Sequence, residues 1–463
     1  MHVTLIKPPQ IIVRSELWYP LGLLSIASYL QAHGHDIELI DLDFQKSIND
    51  IDGILGVSFD GNTDEKFLDI LRKNKSKGNL IIAGGFEATF HYSELLDHEL
   101  VDIVVLGEGE LTIIELVDNI EKNEEWRTVE GIAYKSEDGI KVNRRKKYCD
   151  LEPLPLPDRK LIDMEKYKVT NPCVNVITSR GCPNKGQCGF CGKTQHTYRV
   201  QSVGKTIKEM QFLYDHGYRR FLFGDDYLIS SKEYITELCT AIKKHFPDIR
   251  WSCLIHVNDC DDFITKTMKE AGCIQIGLGV ESFNQKTLDA IRKHFTIPQL
   301  KDVMRIFKKN GMRTYFNLII GLPAESPRLF LANLIKYSFI LKPGMINLSL
   351  LKASHSLSLQ NIPGFGSPIQ RNPEKFGIHF RDGNDVYCGI PIKIREVDSI
   401  GDIKFSSFQK GFRFAKAYCW FWNKIINLHL IDRLLGMTGV VLRKYSPRLF
   451  LSLLKIKNKL GLK

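Results

Sequence analysis

No run of eighteen uncharged apolar residues occurs anywhere in the 463-residue sequence, so no segment reads as a helix able to cross a bilayer. No leader is expected either: Met1 leads straight into the strand-like His2-Val3-Thr4-Leu5-Ile6, and a cytoplasmic location is expected. Eleven cysteines, odd in number and scattered along a long chain, exclude the framework of a small disulfide-rich secreted protein and ask for a reducing compartment. No Gly-x-Gly-x-x-Gly fingerprint follows the first strand, so a nicotinamide or flavin dinucleotide is not expected. Acid is scarce at the C-terminus. From Gly401 onward thirteen Lys and Arg face only Asp402 and Asp432, so this tail carries the whole net charge of +11, and an anionic partner meets it first. With 43% apolar and 25% charged residues the chain has globular composition, and its length allows about three domains.

Against these absences stands one dense stretch, Ser179-Arg180-Gly181-Cys182-Pro183-Asn184-Lys185-Gly186-Gln187-Cys188-Gly189-Phe190-Cys191-Gly192. It follows the apolar run Val174 to Thr178 and reads as a strand emptying into a ligand loop. Such a loop, rich in Gly, Pro and Lys, is poor core material, and closely spaced thiolates suit zinc or an iron-sulfur cluster. A closed zinc site needs a fourth ligand, and the nearest other cysteines, Cys149 and Cys173, lie outside the loop. Three cysteines instead leave one iron of a 4Fe-4S cluster open for chemistry.

The stretch resembles the cluster loop of the radical S-adenosylmethionine (SAM) superfamily. There the open iron chelates the amino and carboxylate groups of SAM, and the reduced cluster cleaves the sulfonium to a 5'-deoxyadenosyl radical. The resemblance assigns Cys182, Cys188 and Cys191 to the cluster. The spacing Cys182-x5-Cys188-x2-Cys191 is two residues longer in its first interval than the family's commonest Cys-x3-Cys-x2-Cys. It also implies a partial (β/α)6 barrel, consistent with apolar runs at Val174 to Thr178, Phe221 to Phe223, Trp251 to Ile255, Ile274 to Leu278, Thr314 to Ile320 and Ile346 to Leu350. By the same resemblance Glu281 and Ser282 after the fourth strand, and Gly321 and Pro323 after the fifth, contact SAM. Asp225 and Asp226 end the second strand either as helix caps or as site residues, and His256 reads as a structural histidine.

Residues 1 to about 120 alternate short apolar runs with helical patterns, the mark of a doubly wound parallel sheet of Rossmann-like, flavodoxin type. Ligands in such sheets lie outside the carboxyl ends of the strands, which here carry Lys7-Pro8-Pro9-Gln10, Ser58, Gly84-Gly85 and Gly107-Glu108-Gly109-Glu110. This layout resembles the cobalamin-binding domain that precedes the radical SAM domain in one subgroup. It implies that Ser58, Gly84, Gly85, Gly107 and Glu108 face cobalamin. The Asp-x-His-x-x-Gly motif of cobalamin mutases is absent after the first strand, so no lower axial histidine is expected from there.

The chain thus divides into a cobalamin-binding domain over 1–125, a hairpin and Pro-rich linker over 126–170, the radical SAM barrel over 171–370, and a basic, aromatic, mostly helical region over 371–463. A Pro363-Gly364-Phe365-Gly366-Ser367-Pro368 loop precedes the last region, whose bases and aromatics suit a membrane surface or another anionic partner. The expected activity is cobalamin-dependent methyl transfer to an unactivated carbon of a small molecule, lipid or peptide, fed by a reductase such as flavodoxin or ferredoxin. The alternative is a radical cyclisation, oxidation or rearrangement without methyl transfer. An RNA-modifying methylthiotransferase fits less well, since no RNA-binding barrel is recognisable after residue 370 and no second cysteine triplet lies near the N-terminus.

Overall fold

The computed structural model describes residues 1–9, 17–45, 48, 51, 53–59, 65–184, 187–192, 197–351, 355–356, 367–376, 378–387 and 390–427. The first sheet is built from β1 (His2–Lys7), β2 (Asp36–Asp41), β3 (Ile54–Ser58), β4 (Leu80–Gly84), β5 (Ile103–Val105), β6 (Ile132–Ser136) and β7 (Gly139–Asn143), in the order β2-β1-β3-β4-β5-β6-β7. The first five run parallel. Side-chain alternation sorts their apolar residues onto two covered faces. Val3, Leu5 and Ile82 pack with Leu23, Ala27, Leu116 and Val117 of helices Leu21–Ala32 and Glu110–Glu121. Ile6, Val57 and Ile81 pack with Phe67, Leu71 and Leu95 of the helices on the opposite side.

The hairpin expected ahead of the Pro-rich linker extends the first sheet: β6 pairs antiparallel with β5 and β7 with β6. They cover what is otherwise a bare parallel edge at β5.

The second sheet is six-stranded and wholly parallel, in the order β15 (Met345–Leu350), β14 (Arg313–Ile320), β13 (Cys273–Glu281), β12 (Arg250–Ile255), β11 (Arg220–Phe223) and β8 (Cys173–Val176). Between β8 and β11 stands a small antiparallel ribbon, β9 (Ser179–Arg180) with β10 (Arg199–Val200). Helices return between the strands, and their entries are capped: Ser202, Ser231, Asp261 and Ser326 each accept a bond from the third helical N–H, and Thr296 forms a capping box with Gln299. Each such cap is worth about 1 kcal/mol. The core beneath includes Trp251, packed edge-on against Phe223 at 5.1 Å.

Beyond the barrel, β16 (His355–Ser356), β17 (Ile378–Tyr387), β18 (Ile390–Ile400) and β19 (Ile403–Lys404) form an antiparallel sheet ahead of the helix Phe405–Asn427. Short helical turns at Pro368–Arg371 and Pro373–Phe376 precede β17, and the long helix of the C-terminal region follows this sheet. Pro363 to Gly366, Gln10 and the basic tail beyond Asn427 lie outside the described residues.

A polar and aromatic seam joins the two halves. Tyr19 stacks on Tyr167 at 4.6 Å, and its hydroxyl lies 2.7 Å from that of Tyr218. Tyr167 donates to Asp41, which pairs with Lys7 at 3.3 Å. Arg159, fully buried, donates to Glu209 at 2.5 Å.

Candidate functional site

The cysteine loop hangs from a fixed point. One carboxylate oxygen of Asp225 accepts from the Thr178 amide (2.9 Å) and hydroxyl (3.0 Å) and from the Ser179 amide (2.5 Å) and hydroxyl (2.7 Å). Asp225 is 1% exposed, and its other oxygen has no partner. Burial, against these four bonds, raises its pKa to about 6. Rather than capping a helix, Asp225 pins the chain just ahead of the loop.

Gly181 then turns at φ +83°, where an added Cβ would stand 2.4 Å from the Thr197 carbonyl oxygen, so only glycine fits. Cys182, Cys188 and Cys191 follow, all half-buried. Asn184 Nδ2 lies 3.1 Å from Cys188 Sγ, and the loop is strapped to the barrel by Gly189 N to Ile291 O (2.8 Å) and Ile369 N to Gly189 O (2.9 Å). Cys173 sits at the opposite end of β8 and does not join them. Among the described residues the three thiols do not converge within 4.8 Å, the spacing for a single ion. Three soft donors, each able to take its own iron, fit a 4Fe-4S cluster with one iron left open.

Glu281 ends β13 at φ +64°, in the left-handed region that costs a non-glycine residue about 1–3 kcal/mol, next to a register shift against β14. It is buried and ion-paired with Lys293 at 3.0 Å. Burial alone draws the Lys293 pKa down, but attraction to Glu281 and to the thiolates of Cys188 and Cys182 outweighs it, and the net shift is upward. Gly279 makes room, since a Cβ there would come within 2.7 Å of Glu281 Oε1 and 3.0 Å of Lys293 Nζ. Ser282 is fully buried, its hydroxyl donating to Glu325 Oε2 (2.8 Å) and accepting from the Asn284 amide (3.0 Å). Burial pushes Glu325 up to about 7. Gly321 (φ +98°) and Pro323, both buried, follow β14, and Phe405 closes over Gly321. His256 bonds the Lys293 carbonyl at 3.1 Å, and burial plus the Lys293 charge lower its pKa to about 4, which makes it a neutral strut.

A second site lies at the carboxyl ends of the first sheet. A cavity of about 340 Å³ is lined by Ser58, Gly84, Gly85, Gly107 and Glu108 together, all five residues singled out from the sequence. The Leu151–Pro157 segment, Ile177, Arg180 and Lys205 complete its wall from the other half. Gly85 (φ +96°) packs so closely that a Cβ would meet the Phe59 carbonyl at 3.0 Å, whereas a Cβ at Gly84 would only touch Val105 at 3.9 Å and one at Gly22 would project into open space. This smooth cradle fits the nucleotide tail of a cobalamin rather than a whole corrinoid. No histidine is among its described lining residues. Glu108 is already committed to Arg199 and Arg180.

Sequence reasoning missed Lys293, Arg199 and the pinning role of Asp225. The one available signal for Lys293 was a basic run, Ile291-Arg292-Lys293-His294, returning twelve residues after Glu281.

Residues 176–332 match the model of the radical SAM superfamily, and residues 10–117 match the B12 binding domain. Over 330 residues the chain is 32% identical to an uncharacterized methyltransferase of Pyrococcus horikoshii, covering 66% of this chain and 70% of that one. It is 28% identical over 336 residues to the anaerobic magnesium-protoporphyrin IX monomethyl ester cyclase of Rubrivivax gelatinosus, covering 67% of this chain but only 60% of the cyclase. The fold matches that of the radical SAM methyltransferase TsrM from Kitasatospora setae, solved with cobalamin and a [4Fe-4S] cluster, with a TM-score of 0.67 at 17% identity, over 82% of this chain and 80% of that one.

Proposed function

Because the chain belongs to the cobalamin-binding branch of the radical SAM superfamily, enzymes whose cofactors are a 4Fe-4S cluster, SAM and cobalamin, we propose that it transfers a methyl group to an unactivated carbon of a small-molecule, lipid or peptide substrate. When bound, these groups would supply radical hydrogen abstraction at the substrate carbon and the methyl group to be placed there. The chain binds, orients and shields them. Cys182, Cys188 and Cys191 hold the cluster. Lys293, buried between Glu281 and the cysteine loop, receives the SAM carboxylate, while Glu281 meets its amino or ribose end. Gly321 and Pro323 flank the adenine. Ser58, Gly84, Gly85 and Gly107 seat the cobalamin tail, and the Leu151–Pro157 segment keeps water from it.

The carrying observation is adjacency: Arg180, two residues before the first loop cysteine, lines the same cavity as the residues after β3, β4 and β5. The test is anaerobic reconstitution with iron, sulfide and hydroxocobalamin, then metal analysis after desalting. One cobalt per cluster supports methyl transfer, to be followed by product mass; a full cluster without cobalt refutes it.

A second reading, ring closure or oxidation without methyl transfer, draws on the similarity to the Rubrivivax cyclase. A product lacking the added carbon decides for it. A flavodoxin or ferredoxin is the proposed electron donor. Membrane contact is proposed for the helix Phe405–Asn427, which holds no acid and exposes Phe414 (72%), Trp420 (65%) and Phe421 (42%) beside Lys410, Arg413 and Lys416. Among the described residues no helix is long and apolar enough to cross a membrane.

A further inference from the structure

The cysteine loop has a neck. Its two ends are the strands of the β9–β10 ribbon, and the residues directly opposite one another in that ribbon are Arg180 and Arg199. Like charges opposed in this way repel, and two residues per strand make no stable ribbon on their own. The neutralising carboxylates come from the other half of the molecule, from the motif that follows β5. Glu108 takes Arg199 in a two-pronged pair (2.5 and 3.1 Å) and reaches Arg180 Nη1 at 3.3 Å. Glu110, 3% exposed, binds Arg180 Nη2 at 2.6 Å and accepts from Ser25 Oγ at 2.7 Å. Arg199 also donates to the Cys149 carbonyl at 2.5 Å. Forked guanidinium–carboxylate pairs fix direction as well as distance.

Glu108, Glu110 and Arg180 line the cobalamin-type cavity, whereas Arg199 does not. A ligand entering that cavity therefore touches the carboxylates that grip both ends of the cysteine loop. Resting on the cofactor assignment above, we infer that the Arg180–Arg199 neck, clamped on Glu108 and Glu110, is a positioning device that couples the two cofactor sites: a cobalamin seated by its tail in the cavity and a cluster in the loop each favour the neck geometry the other needs. Coupling of this kind is reciprocal, so it is readable from either side.

The measurement is a hydroxocobalamin titration, followed by absorbance, of the full chain with its cluster built and of the same chain stripped of iron. The wild type is expected to bind the corrinoid about five- to tenfold more tightly when the cluster is present, within the usual span of site–site coupling. Arg199→Met replaces no residue that lines the cavity. It is expected to bring that ratio close to one while the iron-free affinity stays within about twofold. Arg199→Lys, which keeps the charge but not the fork, falls between and guards against a folding defect in the first variant. Tyr19→Phe cuts a different bridge between the halves and is expected to keep the wild-type ratio. In wild type, cob(II)alamin should also broaden the electron paramagnetic resonance signal of the reduced cluster, and Arg199→Met should alter that broadening. Equal affinities with and without cluster in wild type, an unchanged ratio in Arg199→Met, or an equal collapse in Tyr19→Phe overturns the clamp alone. Failure of the wild type to bind corrinoid in either state removes the cobalamin reading and the clamp with it.

Discussion

Replacing Lys293 by Met tests the core of the SAM site. The side chain is 9% exposed and its Glu281 partner 8%, at 3.0 Å, so the substitution leaves a carboxylate in a nearly dry pocket without its cation. Removing one member of a buried ion pair costs about 3–5 kcal/mol, mostly the penalty on the stranded charge. Loss of a charged hydrogen bond to the SAM carboxylate costs a further ~1.5–3 kcal/mol of binding, or about ten- to a hundredfold in Kd. These two effects separate in the double variant Glu281→Gln/Lys293→Met. With both charges gone the stability penalty should largely vanish, since neutral replacement of a buried pair is close to neutral overall. The SAM defect should remain. Urea unfolding of the iron-free chain reads the first effect, and equilibrium dialysis of SAM against cluster-loaded protein reads the second. If Lys293→Met lowers stability but leaves SAM affinity alone, or if the double variant regains SAM affinity together with stability, Lys293 is only a structural cation; if it changes neither, the ion pair itself is refuted, and in each case the site must be drawn again.

Three further outcomes follow from the same geometry. Gly181→Ala, forced to φ +83° with its Cβ 2.4 Å from a carbonyl oxygen, should cost upward of ~1–2 kcal/mol at the loop and lower the iron and sulfide retained per chain, which elemental analysis reads directly. Asp225 has a folded pKa of about 6 against 3.8 for the free group, so between those values the folded chain keeps a proton that the unfolded chain has lost. Stability should fall as pH rises through that window, by about 3 kcal/mol in all, and Asp225→Asn should flatten this contribution; parallel wild-type and variant slopes in denaturant titrations would count against it. Phe414→Ser/Trp420→Ser, which strips two exposed rings from a basic helix face, should weaken co-sedimentation with vesicles containing phosphatidylserine at least tenfold while leaving the fold intact, and undiminished binding would exclude this face as the contact.

The strands of the first sheet were legible because parallel strands covered on two faces are written as unbroken apolar runs, as in Ile54-Leu55-Gly56-Val57 and Leu80-Ile81-Ile82-Ala83, and those of the second because they alternate, as in Arg313–Ile320. The cysteine loop was legible because soft-metal chemistry demands a particular residue at short spacing. Lys293 was not. A basic residue after a short helix looks like any other solvated C-terminal charge, and only tertiary contact with Glu281 makes it a buried one. Asp225 reads from the sequence as either helix cap or site residue because caps and strand-end pins use the same residue type, and the choice is made by the neighbouring strand. Strands β17 and β18 went unread because Arg381-Asp382-Gly383-Asn384-Asp385 has low strand propensity, and the pairing there is set by partner rather than by composition. The hairpin β6–β7 was read as local structure, whereas its membership of the first sheet depends on where β5 happens to end.

The segment Leu151–Pro157 roofs the cavity while being fastened at both sides. Lys205 Nζ donates to the carbonyls of Leu151, Glu152 and Leu154, Glu152 binds the amide and hydroxyl of Ser202 at 2.8 Å each, and just past the roof the Asp158 amide donates to Ser28 at 2.7 Å. A strap tied to both shores opens only when several of these bonds break together. The dwell time of a molecule beneath it is then set by the strap more than by the contacts the molecule makes. Such a guest is expected to behave as a built-in part, carried through many turnovers, rather than as a reagent exchanged with each one.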